Sequence, residues 1–197
     1  MAKIDIALIQ QLRERTGLGM MDCKKALEET NGDIEKAIEL LRKKGAAVAA
    51  KRSDKDTAEG IVHAYIHPGA QVGVLVEVNC ETDFVARTEA VKIFAHDVCM
   101  QIAAMKPLYI NSTEVDPAFV EKEKEILKAQ LTGKPEKVIE TILDGKMKKI
   151  YTDICLMEQA FIKNDKLTIN QLMQELIAKT GENIKIARFS RFEVGVK

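Results

Sequence analysis

His63 and His67 stand four residues apart, and in an extended segment that spacing puts both imidazoles on one face. Two histidines can begin a metal site. Structural zinc needs four ligands, and the sequence places no third beside them, so edge or surface histidines are expected and no metal is assigned. Cys23, Cys80, Cys99 and Cys155 are the other groups that could do chemistry. None lies in a nucleophile motif and no two form a C-x-x-C pair, which disfavours a zinc ribbon, a disulfide framework and thiol catalysis alike. Cys23 and Cys99 fall on or beside helical apolar stripes, where a free thiol serves as a small hydrophobe. No phosphate-cradling Walker loop, dinucleotide fingerprint or G-x-S-x-G elbow is present. The chain is therefore read without catalytic residues, cofactor or nucleotide pocket.

Two further segments are suited to binding rather than to catalysis. Met20-Met21 opens a helix, and neighbours on a helix point about 100° apart, so both cannot face one small core. An exposed methionine suits a protein contact because it is flexible and polarizable; spacing alone leaves gap-filling equally open. Thr82-Asp83-Phe84-Val85 follows a strand and begins a helix. Thr82 or Asp83 can cap the free N–H groups there, and Asp also complements the helix dipole. Capping does not explain a large aromatic directly after the cap. Phe84 either packs inward, which the residues alone favour, or projects as an anchor for a partner's pocket.

Helices and strands must position these groups. Asp5 can cap a first helix carrying Leu8, Ile9 and Leu12. Gly17-Leu18-Gly19 makes a tight loop to a second helix with Met20, Cys23 and Leu27. After Asn31-Gly32, Asp33 can cap a third, where Ile34, Ala37, Ile38 and Leu41 form an amphipathic stripe that Gly45 is expected to end. Residues 46–58 lose the stripe and read as a linker, partly helical. Strand-type runs at 60–67 and 71–79 meet at Pro68-Gly69, strong turn chemistry, and Val72, Val74, Val76 and Val78 alternate as one face of a half-buried strand. One long helix is expected from about 82 to Pro107, with Val91, Phe94, Val98, Ile102 and Met105 on its apolar side. Asp116-Pro117 reads as cap and first-turn proline of a helix to about 131. Gly133 separates it from another, marked by Val138, Ile142, Met147 and Ile150. A short strand is expected near 160–163, a helix capped by Thr168 and stopped by Gly181, and a last strand over 184–194 whose imperfect alternation suggests a bulge. The sum is an α+β protein: a three-helix module, then a core with a three-stranded antiparallel sheet and packed helices.

Bulk composition narrows the function classes. Thirty Lys plus Arg balance thirty Asp plus Glu over 197 residues, against the basic excess usual in nucleic-acid binders. No run of ~18 apolar residues offers a membrane span. The opening Met-Ala-Lys-Ile-Asp has neither an apolar signal core nor transit-peptide composition. Scattered cysteines suit a reducing compartment, and the cytoplasm is expected.

Residues 12–27, Leu-Arg-Glu-Arg-Thr-Gly-Leu-Gly-Met-Met-Asp-Cys-Lys-Lys-Ala-Leu, resemble the elongation factor Ts pattern R-x-x-T-G-A-G-M-M-D-C-K-K-A-L, with Leu18 in place of the usual alanine. Residues 79–87, Asn-Cys-Glu-Thr-Asp-Phe-Val-Ala-Arg, are similar to that family's N-C-x-T-D-F-V-A-[RK]. Gly145-Lys146-Met147-Lys148-Lys149 and Arg191-Phe192-Glu193-Val194-Gly195 also match, so the resemblance covers almost the whole chain. It implies a UBA-like domain at 1–50, a linker at 51–57 and a core, dimerising domain at 58–197. It implies a guanine nucleotide exchange factor, not an enzyme, that binds elongation factor Tu loaded with GDP. Thr82, Asp83, Phe84 and Val85 would dock near the partner's switch region and dislocate its Mg²⁺, and Leu12, Arg13, Met20 and Met21 would form a second contact. His67, in Tyr65-Ile66-His67-Pro68-Gly69-Ala70, is a candidate for the same interface. Longer family members carry a duplicated core and an inserted coiled coil, and neither is found here, which makes a homodimer the expectation. Ser190 stands where some short members have a cysteine that bridges two chains, so that bond is ruled out. Two other classes compete. An adaptor using the helical module alone leaves the 82–85 corner without a role, and a thiol or metal hydrolase lacks its constellation.

Overall fold

The computed structural model describes residues 4–131 and 135–196. The chain begins with α1 (Ile6–Thr16), α2 (Met20–Glu29) and α3 (Ile34–Arg52). The strands β1 (Glu59–Ile66) and β2 (Val72–Cys80) follow, then α4 (Asp83–Ala86), α5 (Glu89–Met105), α6 (Pro117–Ala129) and α7 (Glu136–Ile154). The strands β3 (Ala160–Phe161) and β4 (Asn164–Thr168), helix α8 (Ile169–Thr180) and strand β5 (Ile184–Glu193) complete it. A three-stranded antiparallel sheet has the order β1-β2-β5, and β3 pairs antiparallel with β4. The protein is α+β, helical module first, as its sequence leads one to expect.

Two compact units emerge from the chain's contacts: one of the described residues to 63 with 76–96 and 171–187, the other of 64–75, 97–170 and 188 onward. In the first unit, Asp5 caps α1 by accepting from the Ala7 N–H at 3.2 Å. Asp33 caps α3 by accepting from that of Lys36 at 3.1 Å. Ile9, Leu12, Cys23, Ala26, Leu27, Ala37 and Leu41 form one buried cluster drawn from α1, α2 and α3 alone. Gly45 does not end α3, which runs on through an alanine-rich stretch of good helix formers to Arg52. Gly45 is buried instead, and a Cβ there would lie 3.1 Å from the Ala178 Cβ of α8. Its missing side chain permits a close helix approach rather than a stop. An ion pair at 2.9 Å between Arg42 and Glu175 joins the same two helices.

The hairpin between β1 and β2 turns as expected. The Ala70 N–H donates to the His67 carbonyl at 2.9 Å, and Gly69 takes φ +93°, which suits glycine at the third position of a Pro-Gly turn. Val74, Val76, Val78 and Cys80 form the buried side of β2. The expected single helix from 82 is broken in two. The Thr88 hydroxyl donates to the Val85 carbonyl at 2.7 Å and accepts from the Val91 N–H at 3.4 Å. It thus interrupts α4 and opens α5 like a second cap. Met105, at the end of α5, is exposed rather than on its buried side.

In the second unit, Asp116 caps α6 with Pro117 in its first turn. Gly133, the expected break after it, lies outside the described residues. In α7 the buried positions are Leu143 and Met147, whereas Val138 is exposed. Strand β4 was not apparent in the sequence because only Leu167 of its five residues is buried, which leaves no alternation to detect. A polar core holds the β3–β4 hairpin. Fully buried Gln101 donates to the Gln159 side chain and the Ala160 carbonyl, each at 3.1 Å, and accepts from the Ile162 N–H at 2.9 Å. Along β5 the burial alternation slips by one residue between Ala187 and Arg188, as an extra residue in a strand would produce.

Candidate partner-binding surface

The 82–85 corner is built by side chains 100 residues away. Thr82 has extended backbone and caps α4, its hydroxyl accepting from the Val85 N–H at 3.4 Å. The same hydroxyl donates to one carboxylate oxygen of Glu182 at 2.7 Å, and the Thr82 N–H donates to the other at 3.1 Å. On the preceding residue, Glu81 accepts from the Asn183 N–H at 2.6 Å and from the Arg52 guanidinium at 3.5 Å. The Asn183 amide, almost wholly buried, donates to the Ser53 carbonyl at 3.3 Å and the Lys55 carbonyl at 2.9 Å. The Cys80 thiol donates to the Thr82 carbonyl at 3.4 Å. Three stretches, 52–55, 80–82 and 182–183, are thereby fastened together. None of Glu81, Glu182 or Asn183 stood out in the sequence as part of the site, because nothing in local spacing reports a bond across such a separation.

From this anchored corner Phe84 projects outward, 82% exposed. The inward packing that its residue type alone favours does not occur, since Ala86 fills the buried place on α4 instead. Asp83 pairs with Arg87 at 3.0 Å one turn on, a partly exposed pair of small energetic weight. Val85 is half-buried.

In the helical module Met20 and Met21 are both exposed, at 42% and 64%. Cys23, Ala26 and Leu27 take the inward face of α2. Gly17 ends α1 in the left-handed region at φ 67°, its N–H bonded to the Arg13 carbonyl, and Gly19 starts α2, so the loop puts the methionine pair at the very start of a helix. Arg13 is exposed. Leu12 is wholly buried in the module's cluster. It has no surface to offer a partner, and its part is to hold α1 in place.

His63 and His67 have separate partners. His63 Nε2 lies 3.3 Å from His96 Nδ1, the rings edge to face. Burial, together with His96, lowers the His63 pKa below its ordinary value. In the second unit, exposed His67 meets the Tyr65 hydroxyl at 2.9 Å. Among the described residues no group of three or more His, Cys, Asp or Glu could hold a metal ion. All four cysteines are buried and none forms a disulfide. Burial pushes the thiols of Cys80 and Cys155 up to about 11 and that of Cys99 to about 12, far from the thiolate that a nucleophile requires.

The α+β fold thus sets an exposed phenylalanine on a braced corner and an exposed methionine pair at a helix start. The Elongation factor TS family model matches residues 20–196. The chain is 56% identical to an elongation factor Ts of Carboxydothermus hydrogenoformans over 190 residues, covering 95% of this chain and 88% of that one. It is 53% identical to the elongation factor Ts of Thermotoga maritima over 193 residues, 98% of this chain and 97% of its relative. That of Desulforamulus reducens is 53% identical over 197 residues, 99% and 91% of the two chains. The chain belongs to the elongation factor Ts family, among the elongation factors of protein biosynthesis. No described helix is long and apolar enough to cross a membrane.

Proposed function

We propose that this chain is a guanine nucleotide exchange factor for elongation factor Tu in the cytoplasm, and that its work is binding rather than covalent chemistry. The observation that carries this is Phe84, a phenylalanine four-fifths in water on a backbone braced from two other segments. A ring held in water on a braced backbone is placed for a partner to cover, and interface hot spots are rich in aromatic anchors.

The proposed exchange runs in steps. The corner of Thr82, Asp83, Phe84 and Val85 enters the partner beside its nucleotide, with Phe84 as the wedge. Met20, Met21 and Arg13 give a second grip from the helical module, and His67 adds a contact from the other unit. Groups of the partner that support its Mg²⁺ are displaced. Mg²⁺ demands near-ideal octahedral geometry, so a small shift of its ligands weakens the hold on GDP. Linkage requires that GDP weaken the factor's own binding by the same ratio, and GTP can then release it. A UBA-like domain at 1–50, a linker at 51–57 and a core at 58–197 divide this work between grip and wedge.

The active species is a homodimer in this proposal. In the second unit Ile66, Leu75, Phe192 and Val194 are all exposed, around an apolar groove of ≈ 470 Å³. Such a face suits a self-complementary contact between two copies.

Release of a fluorescent GDP analogue from elongation factor Tu is the direct test. Adding this protein should accelerate release by orders of magnitude; a rate equal to spontaneous release would refute the assignment.

A further inference from the structure

We infer that Glu182 is the positioning residue of the exchange reaction: its carboxylate sets the angle at which Phe84 is presented. The inference rests on the exchange reading above and adds a residue to it. Thr82 must act in three ways at once. Its hydroxyl accepts from the Val85 N–H, which starts α4. Its own N–H, left without a helical partner, needs an acceptor. Its hydroxyl proton needs a direction. Glu182 meets the last two demands with its two oxygens, at 3.1 and 2.7 Å, and by taking the hydroxyl proton it turns a lone pair toward Val85. A carboxylate suits the place, because it accepts from the backbone N–H and from the hydroxyl at once and so keeps the hydroxyl proton pointed away from Val85.

Glu182 is itself held at the end of α8. Gly181 adopts φ +74°, its N–H bonded to the Ile177 carbonyl at 2.8 Å, and the Glu182 N–H reaches the Thr180 hydroxyl at 3.4 Å. Asn183 continues the turn, with its N–H on Glu81 and its amide on the carbonyls of Ser53 and Lys55. One turn thus braces the wedge and also fixes the residues that leave α3. The partner meets a ring whose approach is set before contact, so little binding energy is lost in ordering it.

The test is GDP release at saturating factor with Glu182→Gln, made in the parent and in a Phe84→Ala background. Glutamine has the same shape, but its N–H₂ faces the Thr82 hydroxyl, which must then stop donating there and gives up the orientation set by the carboxylate. In the parent background release should slow about tenfold, part of the loss expected when an aromatic anchor is removed altogether. In the Phe84→Ala background the same change should do nothing further, because the ring it positions is gone. Thr82→Val, which loses the hydroxyl but keeps the shape, should reproduce the loss, and Thr82→Ser, which keeps the hydroxyl, should slow release clearly less than Thr82→Val. Equal slowing in both backgrounds, or parental release by Glu182→Gln, would overturn the positioning role while leaving the exchange reading intact. Failure of the parent to accelerate release would bring down both. Thermal melting of each variant shows whether Glu182→Gln is folded; if it is not, the Thr82 pair carries the same comparison.

Discussion

Phe84 shows how far a single side chain can be read from its surroundings. Its ring is already in water, so Phe84→Ala should change folding stability by no more than about 0.5 kcal/mol. The same change should slow stimulated GDP release by roughly thirtyfold, the loss of about 2 kcal/mol expected of a hot spot. Urea denaturation and nucleotide release, measured side by side, separate the two. His63 is informative in the opposite sense. Its folded pKa lies below the ordinary 6.5 because burial disfavours the cation and His96 adds to this. The unfolded chain therefore binds the proton more readily, and stability falls as pH drops from above 6.5 toward the folded value. Melting temperatures between pH 7.5 and 5 should show this slope, and His63→Gln should flatten it. For the thiols, raised as far as about 12 at Cys99, alkylation of the native protein at pH 8 should be slow and should leave exchange intact. Rapid modification with loss of exchange would revive the thiol reading.

Elements show where local signals suffice. The caps at Asp5, Asp33 and Asp116, the Pro-Gly hairpin and the alternating valines of β2 are local features, and the corresponding elements stand where those features place them. Gly45 marks the limit. In the sequence a glycine late in a helix looks like a stop; against α8 it is a contact. Gly45→Leu should force α3 from α8 and cost about 1–3 kcal/mol by overpacking, read by urea denaturation. Thr88 was similarly silent, since a threonine within an apolar helical pattern does not reveal that its hydroxyl will cap a second helix.

At the scale of the whole molecule the question is assembly. The apolar groove beside Phe192 is large enough to matter, and Phe192→Lys should shift the protein from dimer to monomer in sedimentation equilibrium at micromolar concentration. A parent that sediments as a monomer there would rule the dimer out. The candidate site was partly legible at this scale. Its outward-facing members, Met20, Met21 and Phe84, lie in segments distinctive enough to be singled out. Leu12, which the family resemblance sets beside Arg13 in the second contact, is buried, because neighbours on a helix point about 100° apart and only one of the two faces the module's core.

The sequence by itself determined the α+β class, most helix starts, the central hairpin and the family, since these rest on capping, periodicity and motifs within a few residues of one another. Only the tertiary structure decided that Phe84 points outward, that Gly45 joins two helices, and that Glu182 and Asn183 brace a corner 100 residues away. Those outcomes depend on which side chains the folded chain brings within a hydrogen bond or a van der Waals radius, and neighbours in sequence carry no record of that.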